Sequence, residues 1–137
     1  MRPVIALLVM SHERRSPLLK SLKLLDIEVL AVETCQQARA LLQTHPPVDV
    51  VITQVTLPDG NWCDVFKYLV DNAVQAGLVV SSPHADEILW SEVLWRGAYD
   101  LIVEPYQADE LRKTLEGALR ANESSRVATA TMAGGMN

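Results

Sequence analysis

Reactive side chains gather at four places in this chain, each at the end of an apolar run. Met10-Ser11-His12-Glu13 follows Val4 to Met10, and Gln54 follows Val50-Val51-Ile52-Thr53. Ser81-Ser82-Pro83 follows Leu78-Val79-Val80, and Glu104-Pro105 follows Leu101-Ile102-Val103. Each group suggests a chemistry. His12 beside Glu104 would form a pH-sensitive pair, against the plainer reading of a solvated loop histidine. His12, Glu13 and Glu104 could hold a soft divalent metal, but the set is sparse and its spacing matches no ligand motif. Ser81, Ser82 and His12 hint at acyl transfer, yet no nucleophile elbow and no Asp orienter accompany them. Gln54 is the most informative of these residues. Its carboxamide is a poor nucleophile and carries no charge with which to hold a divalent cation.

The elements that must position these residues can be read from periodicity. Val4 to Met10, Glu28 to Val32, Asp49 to Thr53, Leu78 to Ser81 and Asp100 to Val103 read as short strands, most of them apolar throughout. Amphipathic stretches separate them. Ser16-Pro17 is expected to cap the first helix, with Leu18, Leu19, Leu22 and Leu25 at helical spacing. Thr34-Cys35-Gln36-Gln37 is a capping-box pattern, and Pro46-Pro47 stops the helix it starts. Asn61 caps a third helix carrying Val65, Phe66 and Leu69 inward. Asp86 to Arg96 is a fourth helix, closed by Gly97. Asp109 to Ala121 is the last, with Leu111, Leu115, Ala118 and Leu119 on one face. Uniformly apolar strands alternating with helices predict a parallel sheet covered on both faces. Right-handed crossovers then give an α/β, flavodoxin-like (βα)5 doubly wound sheet of five strands. In such sheets, functional residues collect at the strand ends.

Composition narrows the function classes. The chain has 137 residues, 49% of them hydrophobic, which suits one domain with a substantial core. Residues 1–121 are expected to form it. Residues 122–137 lose periodicity and read as a disordered tail or a linker to another domain. The net charge of −5 argues against direct nucleic-acid binding by this domain. Cys35 and Cys63 have no metal or disulfide spacing and are expected to be reduced thiols of a cytoplasmic protein. The apolar start is too short for a membrane span and is followed by Ser11-His12-Glu13-Arg14-Arg15, so it reads as a buried strand. Arg14-Arg15 reads as a solvated charge run, and Asp59-Gly60 as a turn.

Over residues 4 to 121 the pattern resembles a two-component response-regulator receiver domain. Pro47 to Gln54 with Leu57-Pro58-Asp59-Gly60 is similar to that family's third strand and the loop after it. Gly97-Ala98-Tyr99-Asp100 to Glu104-Pro105-Tyr106 is similar to its fifth strand and Lys-Pro-aromatic turn. Gln107 to Leu111, ending in Glu110-Leu111, resembles the start of its last helix. The resemblance implies a signalling module and not an enzyme, with an acidic pair for Mg2+, a phosphoacceptor Asp, a hydroxyl and a Lys at the strand ends. The positions match differently here. The acidic pair falls on Met10-Ser11 or Ser11-His12, the phosphoacceptor on Gln54, the hydroxyl on Ser82 and the Lys on Glu104. The aromatic switch position falls on Leu101. Mg2+ needs hard oxygen ligands, and a phosphoryl group needs a nearby cation. A charge pair at about 4 Å and an effective dielectric near 20 is worth ~4 kcal/mol, so reversing its sign matters. The expectation is therefore an aspartate-less pseudo-receiver that binds no metal or other cofactor, its pocket held by hydrogen bonds from Gln54 and Ser82.

The fourth helix carries the other functional signal. Ile88, Leu89, Trp90, Val93, Leu94 and Trp95 are apolar around more of the circumference than one buried stripe requires. Leu89 and Val93 can face the core. Trp90, Leu94 and Trp95, with Leu101 and Tyr106, are expected to meet a protein partner or a second copy of the chain. Two alternatives stand beside this. The strand-end pocket could bind a small ligand or metal through Ser11, His12, Gln54, Ser82 and Glu104. The domain could also regulate a transcription factor whose output domain lies elsewhere.

Overall fold

Five parallel strands make one sheet in the order β2-β1-β3-β6-β7. In chain order the strands and helices are β1 (Ile5–Val9), α1 (His12–Leu24), β2 (Glu28–Val32), α2 (Cys35–Leu42) and β3 (Val50–Gln54). There follow β4 (Thr56–Leu57), β5 (Gly60–Asn61), α3 (Trp62–Asp71), β6 (Gly77–Ser82), α4 (Glu87–Arg96), β7 (Asp100–Val103) and α5 (Ala108–Gly135). The computed structural model describes residues 3–135 except 45, 85 and 105, and of residues 122–135 the backbone alone. The expected (βα)5 doubly wound sheet is what the chain forms.

The sheet exists because its central strands are apolar on both faces. Leu7, Val9, Val51 and Val80 pack into one core with Cys35, Leu42, Val65, Leu69 and Val93 of α2, α3 and α4. Ala6, Leu8, Met10, Ile52 and Val79 alternate with them and pack on the other side, against Leu18 and Leu22 of α1 and Leu111, Leu115 and Ala118 of α5. A one-residue slip would exchange these two sets, so burial on both faces pins the register. That register sets Gln54 opposite Ser81, and Ser82 opposite Val103. At the far end of the sheet the buried Asp49 carboxylate accepts the Ile5 N–H at 2.9 Å, fixing where β1 begins.

Helix boundaries follow the caps. Thr34 Oγ1 accepts the Gln37 N–H, and Asn61 with Asp64 forms a reciprocal capping box. Asp86 caps α4, and Gly97 closes it at φ 110°. The first helix begins earlier than Ser16-Pro17 predicts. Ser11 is the N-cap, its side chain accepting the Arg14 N–H, because its extended backbone turns directly from β1 into helix. Pro17 falls inside α1, where it removes the N–H that would have met the carbonyl four residues back. The last helix runs beyond the Ala121 boundary to Gly135. The segment 122–135 lacks an apolar stripe, but it holds no proline and several alanines, so nothing local stops the helix. Between β3 and α3 the turn at Pro58-Asp59 closes a small antiparallel hairpin, β4 with β5, of which the sequence reading noted only the turn.

Candidate functional site

The site lies where β1, β3, β6 and β7 end. Gln54, at the tip of β3, is engaged by its own chain. Its Oε1 accepts the Ser11 N–H at 2.9 Å, and its Nε2 donates to the Thr56 carbonyl. The carboxamide thereby ties the β1–α1 turn to the start of the β4–β5 hairpin. Ser11 is used twice, through its backbone N–H and through its hydroxyl cap on α1.

Glu104, at the tip of β7, is not left with an unmet charge. Arg14 reaches it from the first turn of α1, with Nε at 3.1 Å and Nη2 at 3.0 Å from the same carboxylate oxygen. Arg14 Nη2 also donates to the Ser81 carbonyl at 3.4 Å. Both partners are about three-quarters buried, so the pair is sheltered from solvent screening. The Tyr106 hydroxyl donates to the same Glu104 oxygen at 3.1 Å, and Ser81 Oγ lies within reach of both, 3.3 Å from that oxygen and against the Tyr106 hydroxyl; with one hydrogen each, the two hydroxyls make two of these three bonds at a time. One carboxylate oxygen thus gathers α1, β6, β7 and the turn after β7. Burial pushes the Tyr106 phenol well above its usual range, with the Glu104 carboxylate adding to the rise and the Ser81 bond offsetting part of it.

Several expectations change on this geometry. Glu104 pairs with Arg14 and not with His12, which is exposed at the first position of α1. Arg14-Arg15 is not a solvated run. Arg14 enters the site, and Arg15 bonds the Met10 carbonyl and Glu33. The hydroxyl facing Glu104 is Ser81, whereas Ser82 Oγ bonds within the following loop, accepting the His84 N–H and donating to the His84 carbonyl. Strand alternation decides this: adjacent residues point to opposite faces, and the register aligns Ser81 with Gln54. Met10 contributes only backbone, since its side chain is fully buried in the α1/α5 core.

The expected interface residues divide among different surfaces. Trp90 lies beside Leu101 and Val103 along β7, and Leu101 is itself buried. Tyr106 lies across β7, with its ring against the core and its hydroxyl in the Glu104 cluster. Trp95, 90% exposed, faces α3 beside Phe66, Lys67 and Val70. Leu94 is half-buried.

A family model for the response regulator receiver domain matches residues 11–116. The chain belongs to the receiver domain family. Among relatives, it is 28% identical over 96 residues to the regulatory protein LuxO of Vibrio cholerae, covering 70% of this chain and 21% of LuxO. It is 28% identical over 93 residues to the chemotaxis protein CheY of Bacillus subtilis, covering 67% of this chain and 77% of CheY. The chain thus spans about a fifth of LuxO's length. The receiver domain of a LuxO repressor protein from Vibrio parahaemolyticus superposes with a TM-score of 0.79 at 21% identity, over 93% of this chain and 98% of that one.

Receivers hold Mg2+ on strand-end carboxylates, so the present residues can be tested for fit. Met10 and Ser11 offer none, and Gln54 is a carboxamide bound to backbone. One oxygen of Glu104 already holds a guanidinium and faces two hydroxyls. Among the described residues no group of three or more His, Cys, Asp or Glu is placed to hold a metal ion. The donor set does not suit a divalent cation. Asp59, the nearest acid in the following loop, is occupied as well. Its two oxygens accept the Cys35 and Gln36 N–H groups at 2.8 and 2.9 Å, which hold its carboxyl below the ordinary range. Sequence reasoning missed both Arg14 and this link. The signal for Arg14 was available in principle, since an acid in place of a site cation invites a compensating base on a neighbouring strand end or helix start.

Proposed function

We propose that this receiver domain signals without phosphorylation, as a protein-docking module whose strand-end site is a fixed internal clamp. The observation that carries this is the charge arrangement. The position that holds a lysine in receivers is Glu104, and the chain's own Arg14 neutralises it. The phosphoacceptor position is Gln54, with both ends of its carboxamide engaged by backbone. A phosphoryl group would meet no nucleophile and a carboxylate already committed elsewhere. The pocket-binding alternative gains less support, because Ser11, Gln54, Ser82 and one oxygen of Glu104 are already engaged within the chain.

Output would then come from the exposed apolar surface of α4, where Ile88 is 81% and Trp90 48% exposed. Residues 1–121 would form the docking unit, in the cytoplasm, and 122–137 would lead away from it toward whatever the domain regulates. LuxO is described as a regulatory protein, which fits a role as the input part of a longer regulator. The test is incubation of the full chain with acetyl phosphate and Mg2+, read by intact-mass spectrometry and by NMR of the backbone amides. The expected result is an unchanged mass and unchanged amide positions. An acid-stable, hydroxylamine-sensitive phosphoryl adduct, at Asp59 or elsewhere, would sink the proposal.

A further inference from the structure

We propose that the surface made by α4, β7 and the start of α5 receives a segment of another protein that presents apolar side chains flanked by Lys or Arg, and that it does not pair with a second copy of this chain. This rests on the docking function proposed above and specifies its partner. Leu101 and Val103 of β7 form the floor of two adjoining grooves, and β7 is an edge strand of the sheet. One groove, about 380 Å³, is walled by Asp86, Glu87 and Trp90. The other, about 190 Å³, is bordered by Asp100, Tyr106 and Glu110. Among the described residues no Lys, Arg or His lines either groove. Asp86 is held by the N–H groups of Ile88 and Leu89, at 2.9 and 3.2 Å, and Asp100 by the Leu101 N–H at 2.7 Å. Two of the four carboxylates are therefore preset in position. Among the described residues neither Glu87 nor Glu110 has a cationic partner.

An apolar floor with carboxylates of one sign around it selects by charge as well as by shape. The floor and the Trp90 ring give an apolar anchor its binding energy, since tryptophan is favoured at the centre of interfaces. The low-dielectric floor and the single-sign rim raise the local concentration of cationic side chains and reject anionic ones. A symmetric dimer through this surface would press the four acids of one copy toward those of the other. Each copy also brings a net charge of −5. A nucleic acid or an anionic membrane would be repelled for the same reason. The partner consistent with these charges is a basic, amphipathic protein segment.

The experiment uses two fluorescein-labelled synthetic peptides with the same Leu/Phe stripe, one with Lys at the flanking positions and one with Glu. Anisotropy titrations with the full chain should give at least about tenfold tighter binding of the Lys peptide, with the margin shrinking as salt rises. Glu87→Lys with Glu110→Lys should remove or invert that preference with only a small fall in the thermal midpoint, both residues being exposed but in the first turns of α4 and α5. Trp90→Ala should weaken the Lys peptide, whereas Trp95→Ala should not. Equal binding of the two peptides, or no binding of the Lys peptide, would overturn the proposal. So would a sedimenting dimer that Trp90→Ala disperses. Phosphoryl uptake from acetyl phosphate would defeat the phosphorylation-independent reading while leaving the peptide preference standing. An inert response to acetyl phosphate together with no peptide preference would defeat this inference alone.

Discussion

A carboxylate oxygen ringed by four donor groups is a demanding group to bury. Glu104 receives two N–H groups of Arg14 and the Tyr106 hydroxyl, with the Ser81 hydroxyl in reach of both Glu104 and Tyr106. Such a cluster favours the fold only while it is complete, because a partner removed leaves the others desolvated without compensation. Arg14→Glu should therefore cost at least about 1–3 kcal/mol, the usual penalty for orphaning a sheltered polar group. Glu104→Lys should cost at least as much, since it sets two cations at one strand end. If the pair is the source of both losses, the swapped double variant Arg14→Glu with Glu104→Lys should recover more than half of the summed loss in urea unfolding. Simple addition of the two single losses would show that Arg14 and Glu104 do not act on one another. The same reasoning explains why sequence inspection reads the site only in part. The replacement of an acceptor Asp by Gln54 is visible in one position. The partner of Glu104 lies 90 residues away in sequence, on a helix whose start depends on Ser11 and not on the conspicuous Ser16-Pro17.

Elements were legible wherever a local signal and a global one agreed. Asp100 to Val103 is apolar at its core and bounded by a turn and Glu104-Pro105, and it is the observed strand. Asn61 with Asp64 supplies both halves of a cap, and α3 begins there. Legibility failed where signals conflicted or were absent. Ser81 and Ser82 are chemically equivalent in sequence, and only the pairing of β3 with β6 decides which one faces the site. The β4–β5 hairpin has two residues per strand, too few for any periodicity. At this scale Gly97 is a position with little freedom. Its φ of 110° is strained for any residue bearing a Cβ, and such an atom would lie 2.9 Å from Phe66 Cζ. Gly97→Ala should destabilise by about 1–2 kcal/mol for the backbone alone, and by more if Phe66 cannot yield. Because Phe66 and Trp95 line the same groove between α3 and α4, the variant should also shift tryptophan fluorescence. An unchanged denaturation midpoint would mean that α4 closes by another route.

For the molecule as a whole, the two raised acids make the alkaline side of its stability profile informative. Burial, reinforced by Asp59, pushes the Cys35 thiol from 9.0 to about 11. Burial likewise raises the Tyr106 phenol. Both groups are neutral when protonated, so the folded state holds their protons more tightly than the unfolded chain does. Their contribution is complete below the unfolded values, near 9 for the thiol and ~10 for a phenol. It is lost as pH rises through the folded values. In that window the unfolded state carries fewer bound protons, so stability must fall with increasing pH. Cys35→Ala should flatten the fall between pH 9 and about 11. Tyr106→Phe should flatten it above ~10, at the cost of the hydroxyl bonds to Ser81 and Glu104 at every pH. The two positions lie in opposite cores of the sheet, Cys35 with α2 and α3 and Tyr106 with α1 and α5, so their effects on the slope should add. Urea unfolding of the wild type, both single variants and the double variant, measured from pH 7 to 11, reads this directly. A wild-type profile as steep as that of the double variant would mean that neither proton is held more tightly in the fold. The Glu104 cluster and the Asp59–Cys35 contact would then be looser than their geometry implies.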